Sequence, residues 1–188
     1  RTNGEWMIIC KGVSQCSIEG GDVLISEFRA DEKKLIDRHL DFAKRVEKAK
    51  ECQPAWAATN PQKRARVIMK FIDLLHRDMD ELATVLSSEH GKTIDDAKGE
   101  VLRGLEVLEF ACGIPSHLRG QFSDNVAQGI DVHSFRQPIG ITLGITPFNF
   151  PVMVPMWMFP ISIACGNTFI LKPSEKDPSA SLFLAELF

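Results

Sequence analysis

The chain has 188 residues, a length that suffices for one domain with a hydrophobic core. Hydrophobic residues make up 44% and charged residues 25% of it, as in ordinary soluble globular proteins. The net charge of −3 leaves no excess of Lys and Arg to neutralise phosphates, which argues against a nucleic-acid partner. The basic cluster at 63–66 is short and is typical of a solvated helix face.

The cysteine pattern argues against a metal site and for a reducing compartment. No CxxC pair and no Cys/His set at zinc spacing occurs, so we expect no metal ligands. An odd count without a secretory signal indicates a reducing compartment, and we expect the protein in the cytoplasm. The five cysteines are Cys10, Cys16, Cys52, Cys112 and Cys165.

No apolar run reaches the length needed to span a membrane, so we expect no membrane partner. The longest run, 148–165, contains Asn149 and three prolines and is typical of a buried turn followed by a helix. The chain begins with Arg and stops at Phe188 inside a helical pattern, and we therefore expect both ends to be cuts in a longer protein.

The first half of the chain is predicted to be mainly helical. Residues 1–30 are weakly patterned, with short strands expected at 6–10 and 22–28, and residues 31–52 favour a charge-rich helix. Asn60 and Pro61 are typical of a helix start, and apolar residues then recur at helical spacing to a stop at Gly91, with a kink near Asp78 or Asp80. A further helix is predicted from Thr93 to Gly113 and Pro115.

The second half alternates strands and helices. A short strand is predicted within 130–135, and the glycine-spaced apolar run 139–145 suits a buried strand. A buried helix at 152–164, a strand at 168–171 and a last helix after Asp177 complete a right-handed βαβα unit. The expected fold class is therefore α/β with a parallel sheet and a helical N-terminal part.

Asn149 is the first candidate for chemistry. Two aromatic residues and two prolines flank it, and rigid neighbours would fix its side-chain amide as a donor to a developing oxyanion. The alternative is a turn asparagine that bonds to its own backbone.

Lys172 is the second candidate, because ligands of open α/β sheets bind at the carboxyl ends of strands. It ends the predicted strand before Pro173 and could hold a ribose hydroxyl or a phosphate, with Glu175 sharing the ribose. The alternative is a salt bridge at a surface loop. Neither GxGxxG nor the phosphate-loop motif occurs, so pattern alone leaves the ligand open.

Three further residues have structural interpretations as well as functional ones. Cys165 ends an apolar helix with no His or Glu nearby in sequence to activate it, which favours packing over nucleophilic attack. His90 sits at a helix end, where a capping or surface role is usual. Arg103 has Glu100 and Glu106 three residues away on either side, so ordinary ion pairs are expected, although a carboxylate site would also need an arginine.

Several spaced motifs occur in order over residues 43–188: QPAW at 53–56, EHGK at 89–92, EVLRGLEVLEF at 100–110, TPFNFP at 146–151, PMWMFP at 155–160 and GNTFILKPSE at 166–175. Together they resemble the aldehyde dehydrogenase superfamily, and within it the CoA-acylating methylmalonate-semialdehyde dehydrogenase branch.

The resemblance implies a nicotinamide-dependent oxidation through a cysteine thiohemiacetal, with NAD as cofactor and CoA as co-substrate. Asn149 matches the oxyanion-hole asparagine, and Lys172 and Glu175 match the pair that holds the adenosine ribose. Arg103 is the candidate for the substrate carboxylate of a small semialdehyde. The wall around the cofactor and the reacting carbon is matched by Ile145, Thr146, Pro147 and Phe148.

The resemblance also implies a division of the chain. It leaves 1–42 unassigned, gives 43–128 to the helical part of the NAD-binding domain and 129–137 to a strand of an oligomerisation arm. Residues 138–188 are then the first βαβα unit of the Rossmann-like NAD-binding domain, with the catalytic domain absent. An intact enzyme of this kind is expected to be a homo-oligomer.

The first hypothesis is therefore an N-terminal piece of a methylmalonate-semialdehyde dehydrogenase. The piece is expected to be inactive alone, because none of its five cysteines occupies the nucleophile's motif. A second hypothesis is a non-catalytic module that binds adenine nucleotides or a partner surface. A third is an aldehyde dehydrogenase with another acyl acceptor.

Overall fold

The computed structural model describes residues 7–9 and 30–188, with side chains from residue 41 onward. The expected strand at 22–28 lies outside the described residues. The elements in chain order are β1 (Met7–Ile9), α1 (Ala30–Ala57), α2 (Pro61–Arg77), α3 (Met79–His90), α4 (Ile94–Cys112), α5 (Ile114–His117), β2 (Phe122–Ala127), β3 (Ile130–His133), β4 (Ile141–Ile145), α6 (Met153–Ala164), β5 (Thr168–Lys172) and α7 (Ser179–Leu187).

Local signals explain the ends of the first helices. The Asn60 side chain accepts a hydrogen bond from the Gln62 N–H at 2.8 Å, and Pro61 follows it as the first residue of α2. Thr93 caps α4 in the same way. Gly91 ends α3 in the left-handed conformation, with φ 87°, which glycine adopts at little cost. The predicted kink lies at Asp78, between α2 and α3.

Helix α1 differs from its predicted extent. It continues five residues past the expected end at 52 and contains Pro54. Trp56 anchors this last turn, because its indole Nε1 donates to the carbonyl of Ile163 at 3.0 Å. The boundary predicted between residues 42 and 43 falls inside this continuous helix.

The main sheet has the order β1-β5-β4. Strands β4 and β5 are parallel, with Ile141 opposite Thr168 and Ile145 opposite Lys172, so the predicted parallel pair is confirmed. The helix between them, α6, packs against both strands. Strand β1 adds to the other edge of β5 in the antiparallel direction.

A second sheet consists of the antiparallel pair β2 and β3. Strand β2 lies at 122–127, near the end of the stretch 43–128 that the resemblance gives to the helical part of the NAD-binding domain. Every residue of both strands is exposed, so no hydrophobic alternation marks β2 in the sequence. The two strands are joined by the turn at 128–129, where Gly129 has a positive φ of 74°. Asn125, with φ 48°, lies within β2 between Ser123 and Ala127, where the register of the pair shifts.

The core lies between α4 and its neighbours α2, α3 and α6. Helices α4 and α6 approach closely at Gly104, where a Cβ atom would lie 3.0 Å from the Cβ of Met156. The largest fully buried side chains are Phe71, Phe159, Ile68, Leu75, Leu82, Leu86, Leu108, Met156, Ile163, Ile170 and Leu171.

We predict that Gly104→Ala lowers the free energy of unfolding by about 1–3 kcal/mol, because the added methyl group overpacks the contact between α4 and α6. The Sδ and Cε atoms of Met156 would lie 2.7 and 2.8 Å from that methyl group. Urea unfolding followed by circular dichroism measures the change.

Gly99→Ala is the matched control on the same helix. Its added Cβ would lie 3.6 Å from Nη1 of Arg103, an ordinary contact. The better helix propensity of alanine should raise stability by about 0.5–1 kcal/mol. Equal stabilities of the two variants would contradict the close approach at Gly104.

Candidate active site at the carboxyl ends of β4 and β5

The predicted cofactor residues meet where two parallel strands end. Ile145 and Lys172 are register partners at the ends of β4 and β5. The Thr146 N–H then donates to the Lys172 carbonyl at 3.1 Å, which joins the two following loops. The structure thus brings the predicted residues 145–149 and 172–175 to one edge of the sheet, where open α/β sheets bind ligands.

This edge offers an apolar surface beside a charged one. Ile145 and Phe148 are 63% and 50% exposed, whereas Thr146 between them in the chain is buried. Pro147 is also exposed. The ammonium of Lys176 lies 4.0 Å from the centroid of the Phe148 ring, which holds that ring by a cation–π contact.

Lys172 and Glu175 form an ion pair, with 2.9 Å between Nζ and Oε2. The hydrogen bond from Lys172 lowers the pKa of the Glu175 carboxyl, so the carboxylate form is favoured. The predicted surface salt bridge is therefore present. The same pair also presents one cation and one carboxylate to the edge of the sheet, and its role toward a ribose stays a prediction.

Asn149 is exposed in the turn between β4 and α6. Within residues 41–188, its side chain has no hydrogen-bond partner, so the amide is not used to close its own turn. Such an amide remains available to a ligand. Its role as an oxyanion donor is untested by this geometry and stays a prediction.

Neighbouring residues fix the turn instead. The Val152 and Met153 N–H groups donate to Oε1 of Glu100 at 2.8 and 3.0 Å. Oε2 of Glu100 accepts a hydrogen bond from Lys92. Glu100 was expected to form an ordinary ion pair with Arg103; it is instead fully buried and bound to the start of α6.

Arg103 lies next to the same turn. Its guanidinium carbon is 6.0 Å from the centroid of the Phe150 ring, and its Nε is 3.4 Å from Sδ of Met153. The side chain is exposed and forms no salt bridge among the described residues. Its Nη1 and Nη2 groups have no hydrogen-bond acceptor among the described residues and are available next to Phe150, although a substrate contact stays a prediction.

The opposite end of α6 is also bound by a buried charge. Arg64 is only 3% exposed, and its Nε donates to the Ala164 carbonyl at 2.9 Å. Its Nη1 donates to the carbonyls of Ala57 and Thr59. The prediction of a solvated helix face for the cluster at 63–66 was therefore wrong at Arg64, because carbonyls from two helix ends surround it.

Cys165 lies beside Arg64, at the far end of α6 from Asn149. Burial raises the pKa of its thiol, and the charge of Arg64 offsets this only in part. A thiol that resists ionisation is a poor nucleophile, which agrees with the predicted packing role.

Among the described residues, no group of three or more His, Cys, Asp or Glu side chains is placed to hold a metal ion.

Two buried polar groups lie at element ends near this edge: His90 ends α3, and Asp177 precedes α7. Asp177 is 4% exposed, and its Oδ1 and the Nδ1 of His90 have no hydrogen-bond partner in the described part of the chain. Burial raises the pKa of the Asp177 carboxyl, opposed by a hydrogen bond with Ser174 and by His90, and supported by Glu89 and Glu100. The sequence placed Asp177 only as the start of the last helix.

The profile of the Aldehyde dehydrogenase family matches residues 34–188. The chain belongs to this family of oxidoreductases. The resemblance seen in the sequence motifs is confirmed, and so is the fold class, because the similar solved structures are aldehyde dehydrogenases with the same helical part and parallel strands.

The curated proteins with high sequence identity to this chain include several semialdehyde dehydrogenases. A malonate-semialdehyde dehydrogenase of Pseudomonas aeruginosa is 54% identical over 145 residues, which is 77% of this chain and 29% of that protein. A mitochondrial acylating methylmalonate-semialdehyde dehydrogenase of Arabidopsis thaliana is 50% identical over 78% of this chain and 24% of that protein.

Solved structures agree with these relatives. A Sinorhizobium meliloti protein, provisionally described as a methylmalonate-semialdehyde dehydrogenase and solved with NAD, is 64% identical with a TM-score of 0.77. The match covers 79% of this chain and 30% of that one. The chain thus spans less than a third of the length of the relatives it matches.

No helix of the described part is long and apolar enough to cross a membrane.

We predict that Asp177→Asn changes how stability depends on pH. A raised pKa in the folded state means that protonation favours folding. This stabilisation of the wild type is full below pH 3.8, the ordinary pKa of an aspartic acid side chain, and is lost as the pH rises through the higher pKa of the folded state. Each pH unit of separation is worth about 1.4 kcal/mol.

The variant should therefore gain stability relative to the wild type as the pH rises from 4 to 7. The gain should be about 1.4 kcal/mol for each unit by which the pKa of Asp177 differs between the folded and unfolded states. Urea unfolding at a series of pH values measures it. The control Asp124→Asn removes a charge from exposed β2 and should stay within about 0.5 kcal/mol of the wild type at neutral pH. A pH-independent difference at Asp177 would refute the buried-carboxyl interpretation.

Proposed function

We propose that this chain supplies the oxyanion donor and part of the NAD site of a CoA-acylating semialdehyde dehydrogenase. The observation that carries the proposal is the amide of Asn149, which has no hydrogen-bond partner within residues 41–188 and lies on the turn after β4. This turn is at the same edge of the sheet as the Lys172–Glu175 pair. A fixed donor stabilises charge well because it need not reorganise as the charge develops.

NAD is the proposed cofactor, and its chemistry there is to accept a hydride from the substrate carbon. The ammonium of Lys172 and the carboxylate of Glu175 are suited to the two hydroxyls of a ribose, as donor and acceptor. Exposed Ile145, Pro147 and Phe148, with buried Thr146 between them in the chain, would form the apolar wall along the cofactor. Two similar solved proteins, the one from Sinorhizobium meliloti and PnpE, are complexes with NAD.

Malonate or methylmalonate semialdehyde is the proposed substrate, and acetyl-CoA or propionyl-CoA with carbon dioxide the proposed products. Arg103 is suited to the substrate carboxylate because its guanidinium is exposed beside the Asn149 turn. CoA as acyl acceptor rests on the word "acylating" in the name of the Arabidopsis relative. An aldehyde dehydrogenase with another acceptor is the alternative within the family.

The proposed division of labour follows the predicted domains. Residues 43–128 frame the NAD-binding domain, 138–188 form its first βαβα unit, and 129–137 belong to an oligomerisation arm. The exposed hairpin supports the last assignment, because Phe122, Val126, Ile130 and Val132 are each at least half exposed. A homo-oligomer in the cytoplasm is the proposed state of the whole enzyme.

The same hairpin supports a second candidate function, that of a non-catalytic interaction module. An apolar two-stranded ribbon with open edges invites association. Size-exclusion chromatography of the chain, alone and with NAD, separates the candidates. Association without nucleotide binding would favour the module.

We predict that the purified chain binds NAD and that Lys172→Met weakens this binding about tenfold or more, since a hydrogen bond from a charged group contributes about 1.5–3 kcal/mol. Isothermal titration calorimetry measures the dissociation constants. Lys98→Met is the matched control, because Lys98 pairs with Asp80 at 2.6 Å on the helical side. Equal affinities of all three proteins would exclude the proposed cofactor role of Lys172.

We also predict that the 188-residue chain produces no NADH from malonate semialdehyde, NAD and CoA. The oxyanion amide has nothing to stabilise without a thiolate that attacks the aldehyde, and Cys165 resists ionisation. Absorbance at the NADH band is the readout, and the Pseudomonas aeruginosa malonate-semialdehyde dehydrogenase is the positive control. NADH production above background by the chain alone would refute the prediction that it is inactive without a further nucleophile.

A further inference from the structure

We propose that Glu100 and Lys92 are positioning residues, which hold the backbone after Asn149 so that its side-chain amide stays fixed. The inference rests on the proposed oxyanion role of Asn149. It concerns how the turn is held, however, and that can be observed without substrate or cofactor.

Glu100 lies in the middle of α4 and is fully buried. One of its carboxylate oxygens, Oε1, accepts both the Val152 and the Met153 N–H, at 2.8 and 3.0 Å. These groups open α6, where backbone N–H groups have no partner within the helix. A residue about fifty positions earlier in the chain thus does what a local capping residue usually does.

Lys92, from the connection between α3 and α4, binds the other carboxylate oxygen of Glu100. It follows α3 after Gly91 and binds Oε2 of Glu100 with a side chain that is only 11% exposed. Its ammonium also lies 5.1 Å from the centroid of the Phe150 ring, the residue that directly follows Asn149. Lys92 therefore neutralises the buried carboxylate and packs on the turn itself.

One more contact fixes the backbone between these points. The hydroxyl of Ser181, on α7, donates to the Pro151 carbonyl at 2.6 Å. The four residues after Asn149 are thus each bound through a ring, a carbonyl or an N–H, whereas the Asn149 side chain has no partner within residues 41–188. A rigid frame around an unused amide is what a preorganised donor requires.

The competing explanation is that Glu100 only stabilises α6. Arg64 distinguishes the two, because it is an equally buried charge at the other end of the same helix. A purely structural role predicts that loss of either charge has the same kind of effect. A positioning role predicts that only the loss of Glu100 reaches Asn149.

The experiment is NMR of the ¹⁵N-labelled chain without ligand, comparing the wild type with Glu100→Gln, Lys92→Met, Lys92→Arg and Arg64→Met. In Glu100→Gln and Lys92→Met we expect roughly tenfold faster hydrogen exchange at the Val152 and Met153 amides. We also expect a shifted, more mobile Asn149 side-chain amide. Lys92→Arg should restore the wild-type signals, and Arg64→Met should lower stability without moving those of Asn149.

Two results would overturn the proposal: Asn149 signals unchanged in Glu100→Gln, or equally changed in Arg64→Met. If a variant fails to fold, the wild type alone still decides. Backbone order parameters near 0.85 at Asn149 and Phe150 support a held turn, and values below about 0.6 refute it. Failure of the NAD titration with the expected NMR result would count against the proposed function and leave the held turn standing.

Discussion

The structure depends on α6 being held at both ends by buried charges of the appropriate sign. The carboxylate of Glu100 binds the N–H groups at its start, and the guanidinium of Arg64 binds a carbonyl at its end. Both charges complement the helix dipole. Because they come from α4 and α2, the helical layer and the parallel strands form one unit.

This arrangement explains why the helical part belongs to the site. The strands β4 and β5 set the position of Lys172 and of the loop that starts at Thr146. The turn at Asn149 leads into α6, whose first N–H groups are bound by Glu100 from the helical layer. The candidate chemistry is thus distributed over two layers that lie far apart in the sequence.

The sequence predicted the features that local physics determines. Helical periodicity and capping residues marked α2 to α4, and apolar runs with glycines marked β4, α6 and β5, because the signals lie within each element. It missed the burial of Glu100 and Arg64, since their partners on α6 lie about fifty and one hundred residues away and polar residues on helices usually face solvent. Strand β2 was missed because it buries no face.

Gly104 and Glu100 stand four residues apart on α4, and hence on the same face of that helix. The glycine lets α6 approach to contact at Met156, and the carboxylate binds α6 at its first residues. The contact at Gly104 therefore limits how closely α6 approaches α4, and the hydrogen bonds to Glu100 limit the sliding and rotation of α6 along α4. A slip of α6 by one turn, about 5.4 Å, would break both at once. The two contacts therefore fix where α6 lies along α4, and α6 is followed within four residues by β5.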